Sequence, residues 1–583
     1  MRLININAFL KREQMMADGK QVDRRSKVLE FCDDEATGYA ILSHRWIDPT
    51  EVDYKEMADL AKMIVEDRDE IRYREGYKKI LNTCEQAQRD GYEWVWVDTC
   101  CIDKRSSAEL SEAINSMYRW YANSGVCYAY LHDVQGSYFP TDKDDNKYYR
   151  SNGWPEWFSR GWTLQEMIAP SNVLFFNKYW KTIGDKKALA HTLEEITQVP
   201  VHILTQGLFG SRPCVAQIIS WAAKRKATRV EDRAYSLMGL LDVNMPMLYG
   251  EGKKAFHRLQ LEIIHSSNDQ SIFAWEHSTI GGGRSGSILA DDPSFFKNCS
   301  GLELLDHNEF IHTLKRSFPN EALPSIDPDC FGTFPVSNRG IHMWMVLRPY
   351  RDSIFEAFLP CRNELGSLAT IGLALWDSNC YRYPKVSAFY LEDSLQFRQV
   401  HLRYQDIPSN VTFEIDDSAI TETGFICSKV FPSEHRTNTL TLTATRPVCI
   451  RTYFERQGNV HFAVAFGQCF GHDWIHMIND PPHEFPPDIK DELMTKGPNR
   501  SRTMADMYSR DDCRRGMSVH YMRLPGSSWM VRTCRFVWER SRIKIRMEAF
   551  RSPHFENGLD EWKMIALEEC DFLAVHMAYP DYS

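Results

Sequence analysis

The chain has 583 residues, enough for about two to four domains that each bury a core. It is 43% apolar and 25% charged, as globular proteins are, and its net charge of -10 argues against a broad nucleic-acid surface. Without a run of about 18 apolar residues it is not expected to span a membrane, and the opening MRLININAFLKREQ becomes charged too soon for a secretion signal.

Residues 1–6 alternate and predict an edge strand, with another at 28–31. Residues 39–43 (YAILS) are a compact apolar run, a buried strand, which opens into His44, Arg45 and Trp46 and a turn at Asp48-Pro49. The charged stretch 51–75 reads as solvated helix. In 77–90 the apolar residues Tyr77, Ile80, Leu81, Cys84 and Ala87 recur at helical spacing. A strand at 92–97 (YEWVWV) runs into Asp98, Cys100 and Cys101. A helix begins at Ser107 and stops at Gly125, a third strand follows at 126–131, and His132-Asp133 come directly after it. Residues 136–153 are loop-like, and 172–176 (NVLFF) form a fourth strand.

Between them lies 157–170, WFSRGWTLQEMIAP. Ser159 is expected to cap a short helix that Pro170 ends. Trp162 and Glu166 are four apart, so an indole is expected beside a carboxyl group. A carboxyl desolvated in this way has a raised pKa, as catalytic acids do; the structural alternative is a Glu near a helix N-terminus facing water.

Strands alternating with amphipathic helices predict βαβ units and a mostly parallel sheet. The polar clusters at 43–46, 98–104 and 132–133 all follow strands, so they should gather on the sheet edge where ligands bind. Each has a structural alternative: Trp46 and Trp162 as core, His44 as a hydrogen-bonding residue, Asp98 as a turn cap, and Arg45 in an ion pair. Cys100 and Cys101 are weak nucleophile candidates without a suitably placed His. Sixteen cysteines without a C-x-x-C pair suggest a reducing, intracellular setting, and so a cytoplasmic one. Neither usual phosphate-binding glycine fingerprint is present.

YAILSHRW, WVWVDTCCIDK with SAELSEAINSMYRWY, and SRGWTLQE, in that order, resemble the signature blocks of fungal heterokaryon-incompatibility (HET) domains. RVEDRAYSLMGLLDVNMPMLYGEGKKAFHRLQLEII is similar to the stretch that trails these blocks in that family, so the resemblance covers roughly residues 1–275. It implies a role in non-self recognition and cell death. ILSH at 41–44 and the run from Ser159 to Glu166 more distantly resemble TIR domains, which are flavodoxin-like. This run carries one extra residue between Ser and Trp, and Thr163 stands where Cys is usual in TIR domains. That likeness implies NAD+ as a substrate rather than a cofactor, with Glu166 catalytic and copies assembling on activation. Ser43, His44, Arg45, Trp46, Asp98 and Trp162 would then hold the substrate. No resident cofactor or metal is expected. The alternative is a signalling module that acts through protein partners.

Residues 185–265 read as helices at 186–196, 215–226, 231–241 and 253–265. Arg229, Glu231, Asp232 and Arg233 form a charge group expected to lock these helices by ion pairs, or else to reach the ligand edge. From Ser271 short alternating runs take over, at 340–349, 354–360, 369–376, 386–391, 439–445 and 460–466, suggesting an antiparallel sandwich or barrel. The expected division is an α/β domain at 1–184, a helical extension at 185–268 and a β-rich domain at 269–583 that binds a ligand or partner. Gly281-Gly282-Gly283 is a hinge candidate. Cys469, His472 and His476 have metal-ligand spacing but lack an evident fourth ligand, and 540–548 reads as an amphipathic strand with a basic face.

Overall fold

The computed structural model describes residues 1–479 apart from 21, 23–26, 48, 209–212, 277–285, 320–322, 324, 329, 331, 352–353, 377–378, 384–394, 406–409, 418–420, 423, 432–438, 444–447, 456–460 and 470–471. Beyond 479 it describes 518–523, 530–535, 543–551 and 561–569. The chain divides into two compact units. Residues 1–276, 289–317 and 359–369 make the first; 277–288, 318–358 and 370–583 make the second.

The first unit is built on a seven-stranded mixed sheet. In chain order its elements are β1 (Arg2–Asn5), α1 (Ile6–Ala17), β2 (Leu29–Phe31), β3 (Ala40–His44), α2 (Tyr54–Asp59), α3 (Val65–Tyr73), α4 (Glu75–Arg89), β4 (Trp94–Trp96), α5 (Ser107–Asn123), β5 (Val126–Tyr130), α6 (Thr163–Ile168), β6 (Val173–Phe176) and β7 (Thr182–Asp185). The strand order is β2-β1-β4-β3-β5-β6-β7. The central four, β4-β3-β5-β6, are parallel; β1, β2 and β7 join antiparallel. Every residue of β3 and β5 is buried, as central parallel strands require. The expected edge strand at the N-terminus is interior instead, because β2 covers β1 on its outer side. β7 was not legible: TIGD has little strand character, and β7 forms by pairing with β6.

The chain leaves β3 for β4 on one side, then crosses back to β5 and β6 on the other. Crossovers of this kind are right-handed, so reversing direction sends α4 and α5 to opposite faces. Consistent with this, α4 packs with α1, and α5 packs with α6. The order reverses between β3 and β5, and a crevice opens at such a point beyond the carboxyl ends of the strands.

Ser106, one residue before the expected start, caps α5 by accepting from Glu109 N. Downstream come α7 (Ala190–Thr197), α8 (Val201–Gln206), α9 (Val215–Ser220), α10 (Asp232–Tyr235), α11 (Met238–Leu241) and α12 (Lys254–Ser266). Later in the chain lie β8 (Glu303–Leu304) and α13 (His307–Ser317). Leu237, Leu240, Leu259 and Ile263 are among the buried side chains of this helical part.

The later part of the chain is β-rich. After β9 (Val336–Ser337) come β10 (Gly340–Arg351), β11 (Ile354–Arg362), β12 (Leu368–Trp376), β13 (Asn379–Tyr383) and β14 (Gln396–Leu402). They run β11-β12-β13-β14-β10, and β10 pairs back to β11, closing a barrel-like sheet. Further strands form smaller sheets, mainly antiparallel. The expected strand at 386–391 and the glycine hinge at 281–283 lie outside the described residues, as do the side chains of Cys469, His472 and His476. The strand expected at 540–548 is described at Ile543–Arg551 in backbone only. Among the described residues no helix is long and apolar enough to cross a membrane, and no three His, Cys, Asp or Glu side chains are placed to hold a metal ion.

Candidate functional site

The short helix α6 sits against the β3–β5 edge and is held at both ends. At its C-terminus the buried Lys186 ammonium donates to the carbonyls of Met167 (3.2 Å), Ile168 and Pro170. A cation there offsets the partial negative charge of the helix end. At its N-terminus, backbone bonds from Gly161 N to Lys226 O (2.9 Å) and from Lys226 N to Ser159 O (2.6 Å) tie the preceding turn to the helical part. Ser159 is not the cap; its hydroxyl donates to Glu156 O within a 3-10 turn, and the helix starts later, at Thr163.

That later start changes where the side chains go. Glu166 points inward and is 5% exposed. Its Oε2 accepts from Ser43 Oγ at 2.5 Å, and Ser43 Oγ in turn accepts from Trp157 Nε1 at 2.8 Å. Tyr121, whose hydroxyl lies 3.1 Å from Leu42 O, also bonds the Glu166 carboxyl. Burial, with the nearby negative Asp98, pushes Glu166 up to about 8; Ser43, Arg160 and Tyr121 pull the other way. The indole in this network is therefore Trp157. Trp162 instead bonds the half-buried Asp232 carboxyl, which Tyr249 also holds at 3.0 Å.

His44 ends β3 with its side chain 1% exposed. Its Nε2 lies 3.6 Å from Glu51 and its Nδ1 3.9 Å from Asp98, and neither ring nitrogen makes a hydrogen bond. Below it Lys79 pairs with Glu51. Burial would raise the Glu51 carboxyl, but His44 and Lys79 bring it down to about 2. Asp98 accepts from Trp46 Nε1 at 2.7 Å, and Lys104 sits 3.5 Å over the Trp46 ring. Asp98 is thus no simple turn cap, and Trp46, 39% exposed, is not core. Arg45 makes the ion pair with Glu156 (2.8 Å), and His132 stands 3.8 Å from the same carboxylate.

The edge therefore gathers Ser43, His44, Asp98 and Glu166, with Trp46 and Arg45 at its rim, and leaves Trp162 turned toward the helical part. Buried polar atoms without a hydrogen-bond partner concentrate here: both His44 nitrogens, Asp98 Oδ1, Thr99 Oγ1, His132 Nδ1 and Asp133 Oδ1. Such atoms normally find a partner, so their clustering fits a place where water or a ligand belongs. Sequence reasoning missed Trp157, Tyr121 and the Lys79–Glu51 pair. Trp157 stood in the right segment; Tyr121 and Lys79 come from helices whose facing sides the pattern alone does not orient, and Glu51 comes from the loop before α2. Cys100 is fully buried, and its bond to Cys101 together with burial pushes its thiol well up, away from the reactive thiolate. Arg233 binds Asp292 (2.6 Å) and Arg229 lies 4.4 Å over Tyr249, so this charge group locks the helical part.

Residues 39–154 match the family described as "Heterokaryon incompatibility protein (HET)". Over 234 residues the chain is 45% identical to "Vegetative incompatibility protein HET-E-1" of Podospora anserina, covering 39% of this chain and 16% of that protein. The chain thus spans about one sixth of that relative's length. No solved structure matches. The family match runs from β3 through β4 and β5, so the stretch that carries most of the polar edge is similar to HET domains.

Proposed function

We propose that this chain is a cell-death effector of fungal non-self recognition whose HET domain is TIR-like and hydrolyses NAD+ or a related nucleotide through Glu166. The observation that carries this reading is a buried carboxyl group, held by Ser43 at 2.5 Å, beside unpartnered polar atoms at the switch point of a doubly wound sheet. In the reaction, water adds to the ribose C1′ as the bond to nicotinamide breaks. Nicotinamide leaves with the bonding electrons, and the water gives up a proton. Positive charge builds on the ribose ring, and the Glu166 carboxylate stabilises it. His44, Asp98 and Trp46 hold the rest of the nucleotide. The setting is cytoplasmic, copies assemble on activation, and the β-rich unit receives a ligand or partner.

One observation favours a second reading. Both Glu166 and Ser43 are closed off from solvent and bonded to each other, as in a purely structural network. On that reading the domain signals by assembling with protein partners. The test is NAD+ content and viability in an inducible host expressing wild type or Glu166→Gln at matched levels. Loss of NAD+ and death with wild type alone supports the enzyme. Equal killing with steady NAD+ supports the signalling module.

A further inference from the structure

Arg225 is a buried cation without a carboxylate bound to it. It is 4% exposed. Its hydrogen bonds all go to uncharged acceptors: Nη1 to Arg160 O (2.9 Å) and Thr163 Oγ1 (3.0 Å), and Nε to Trp221 O (3.3 Å). Nη2 has no partner at all. A buried guanidinium is costly unless paired. Burial pulls it down to about 9, and the one nearby charge acting against that is Glu166.

The placement is specific. Thr163 and Glu166 are three apart on α6 and so lie on the same side of the helix. The Thr163 hydroxyl, which also lies 2.6 Å from Trp157 O, fixes the guanidinium on that side. The backbone of the same segment is clamped to the turn before α6, since Lys226 pairs with Ser159 and Gly161. Arg233 holds Arg225 O and is itself anchored on Asp292.

We propose that Arg225 is a positioning residue for Glu166: its free Nη2 receives the Glu166 carboxylate when that group loses its proton, so the helical part supplies the counter-charge for ionisation inside the fold. The other groups facing Glu166 are Ser43, Tyr121, Asp98, Arg160 and the buried Cys127 thiol, which lies 3.8 Å from Glu166 O. Ser43 and Tyr121 are neutral, Asp98 opposes ionisation, and Arg160 assists from a turn that bonds Thr228 at 3.3 Å. The inference goes beyond the NAD+ reading and holds whether Glu166 acts on a substrate or not.

The test is direct titration of the Glu166 carboxyl by difference infrared spectroscopy, with Glu166→Gln as the blank, on the full chain. Arg225→Met should move the midpoint upward by at least about one pH unit, a tenfold change in ionisation. Arg225→Lys, which keeps the charge, should move it less. If Arg225→Met does not fold, Thr163→Val releases the guanidinium without removing its charge and should shift the midpoint in the same direction. A midpoint unmoved in whichever of these two variants folds overturns the proposal.

Discussion

Ser43 Oγ stands 2.5 Å from Glu166 Oε2, at the point where β3 meets α6. The serine has one proton to give and gives it to the carboxyl group, while the Trp157 indole fills its acceptor side. Ser43→Ala leaves two buried polar groups short of a partner. It should lower unfolding free energy by about 1–3 kcal/mol. Denaturant unfolding checks this, and a change below about 0.5 kcal/mol would show the network to be dispensable.

The Glu166 proton sets a pH dependence with a definite sign. Its pKa rises from 4.5 to about 8 in the fold. Between those values the folded chain keeps a proton that the unfolded chain has lost, so stability falls as pH rises. The slope from this group is at most about 1.4 kcal/mol per pH unit. Glu166→Gln should gain on wild type steadily from pH 5 to 8. Parallel stability curves would mean that Glu166 ionises freely in the fold.

On the NAD+ reading the working species is the carboxylate. Below about 8 its fraction drops about tenfold per pH unit. The rate of NAD+ loss at substrate well below KM should therefore climb about tenfold from pH 6 to 7 and level off above about 8. A rate independent of pH over that range would exclude Glu166 ionisation as the limiting event.

Lys79 and Glu51 form a buried ion pair under His44. Lys79→Met strands the carboxylate and should cost about 3–5 kcal/mol at neutral pH. Glu51 is held down at about 2 against an ordinary 4.5, so its stabilisation is present above 4.5 and disappears as pH falls toward 2. The gap between wild type and variant should thus be wide at pH 7 and narrow near pH 3. A gap of constant width would assign the loss to packing rather than charge.

Gly239 lies where α11 meets α5. A Cβ there would stand 2.2 Å from Tyr118 Cβ and 3.1 Å from Gln165 Oε1. Gly239→Ala should destabilise by about 1–3 kcal/mol through overpacking. An unchanged melting temperature would show that α11 can slide away from α5.

Much of this architecture was readable from the chain. YAILS and VCYAYL are unbroken apolar runs because β3 and β5 are buried on both faces, and the helices between them announce themselves by spacing. Glu166 stood out as one acid in an apolar segment. Its neighbours did not. The expected Trp162–Glu166 pairing assumed a helix from Arg160, yet the bonds of Gly161 and Lys226 keep that turn extended, so Trp157 takes the inner place and Trp162 turns to Asp232. In the sequence Arg225 is one of several basic residues at the end of the helix expected at 215–226. Its burial depends on Arg160 and Thr163, more than sixty residues earlier, and local pattern carries no trace of a contact that distant.

The pairing of Lys226 with Ser159 and Gly161 has an evolutionary consequence. Domain shuffling works when a crossover falls between parts that do not depend on each other. A crossover anywhere from 170 to 225 would join one lineage's carboxylate helix to another lineage's guanidinium and clamp. The reassorted piece most apt to be inherited intact therefore runs from the first strand past Asp292, where Arg233 is moored.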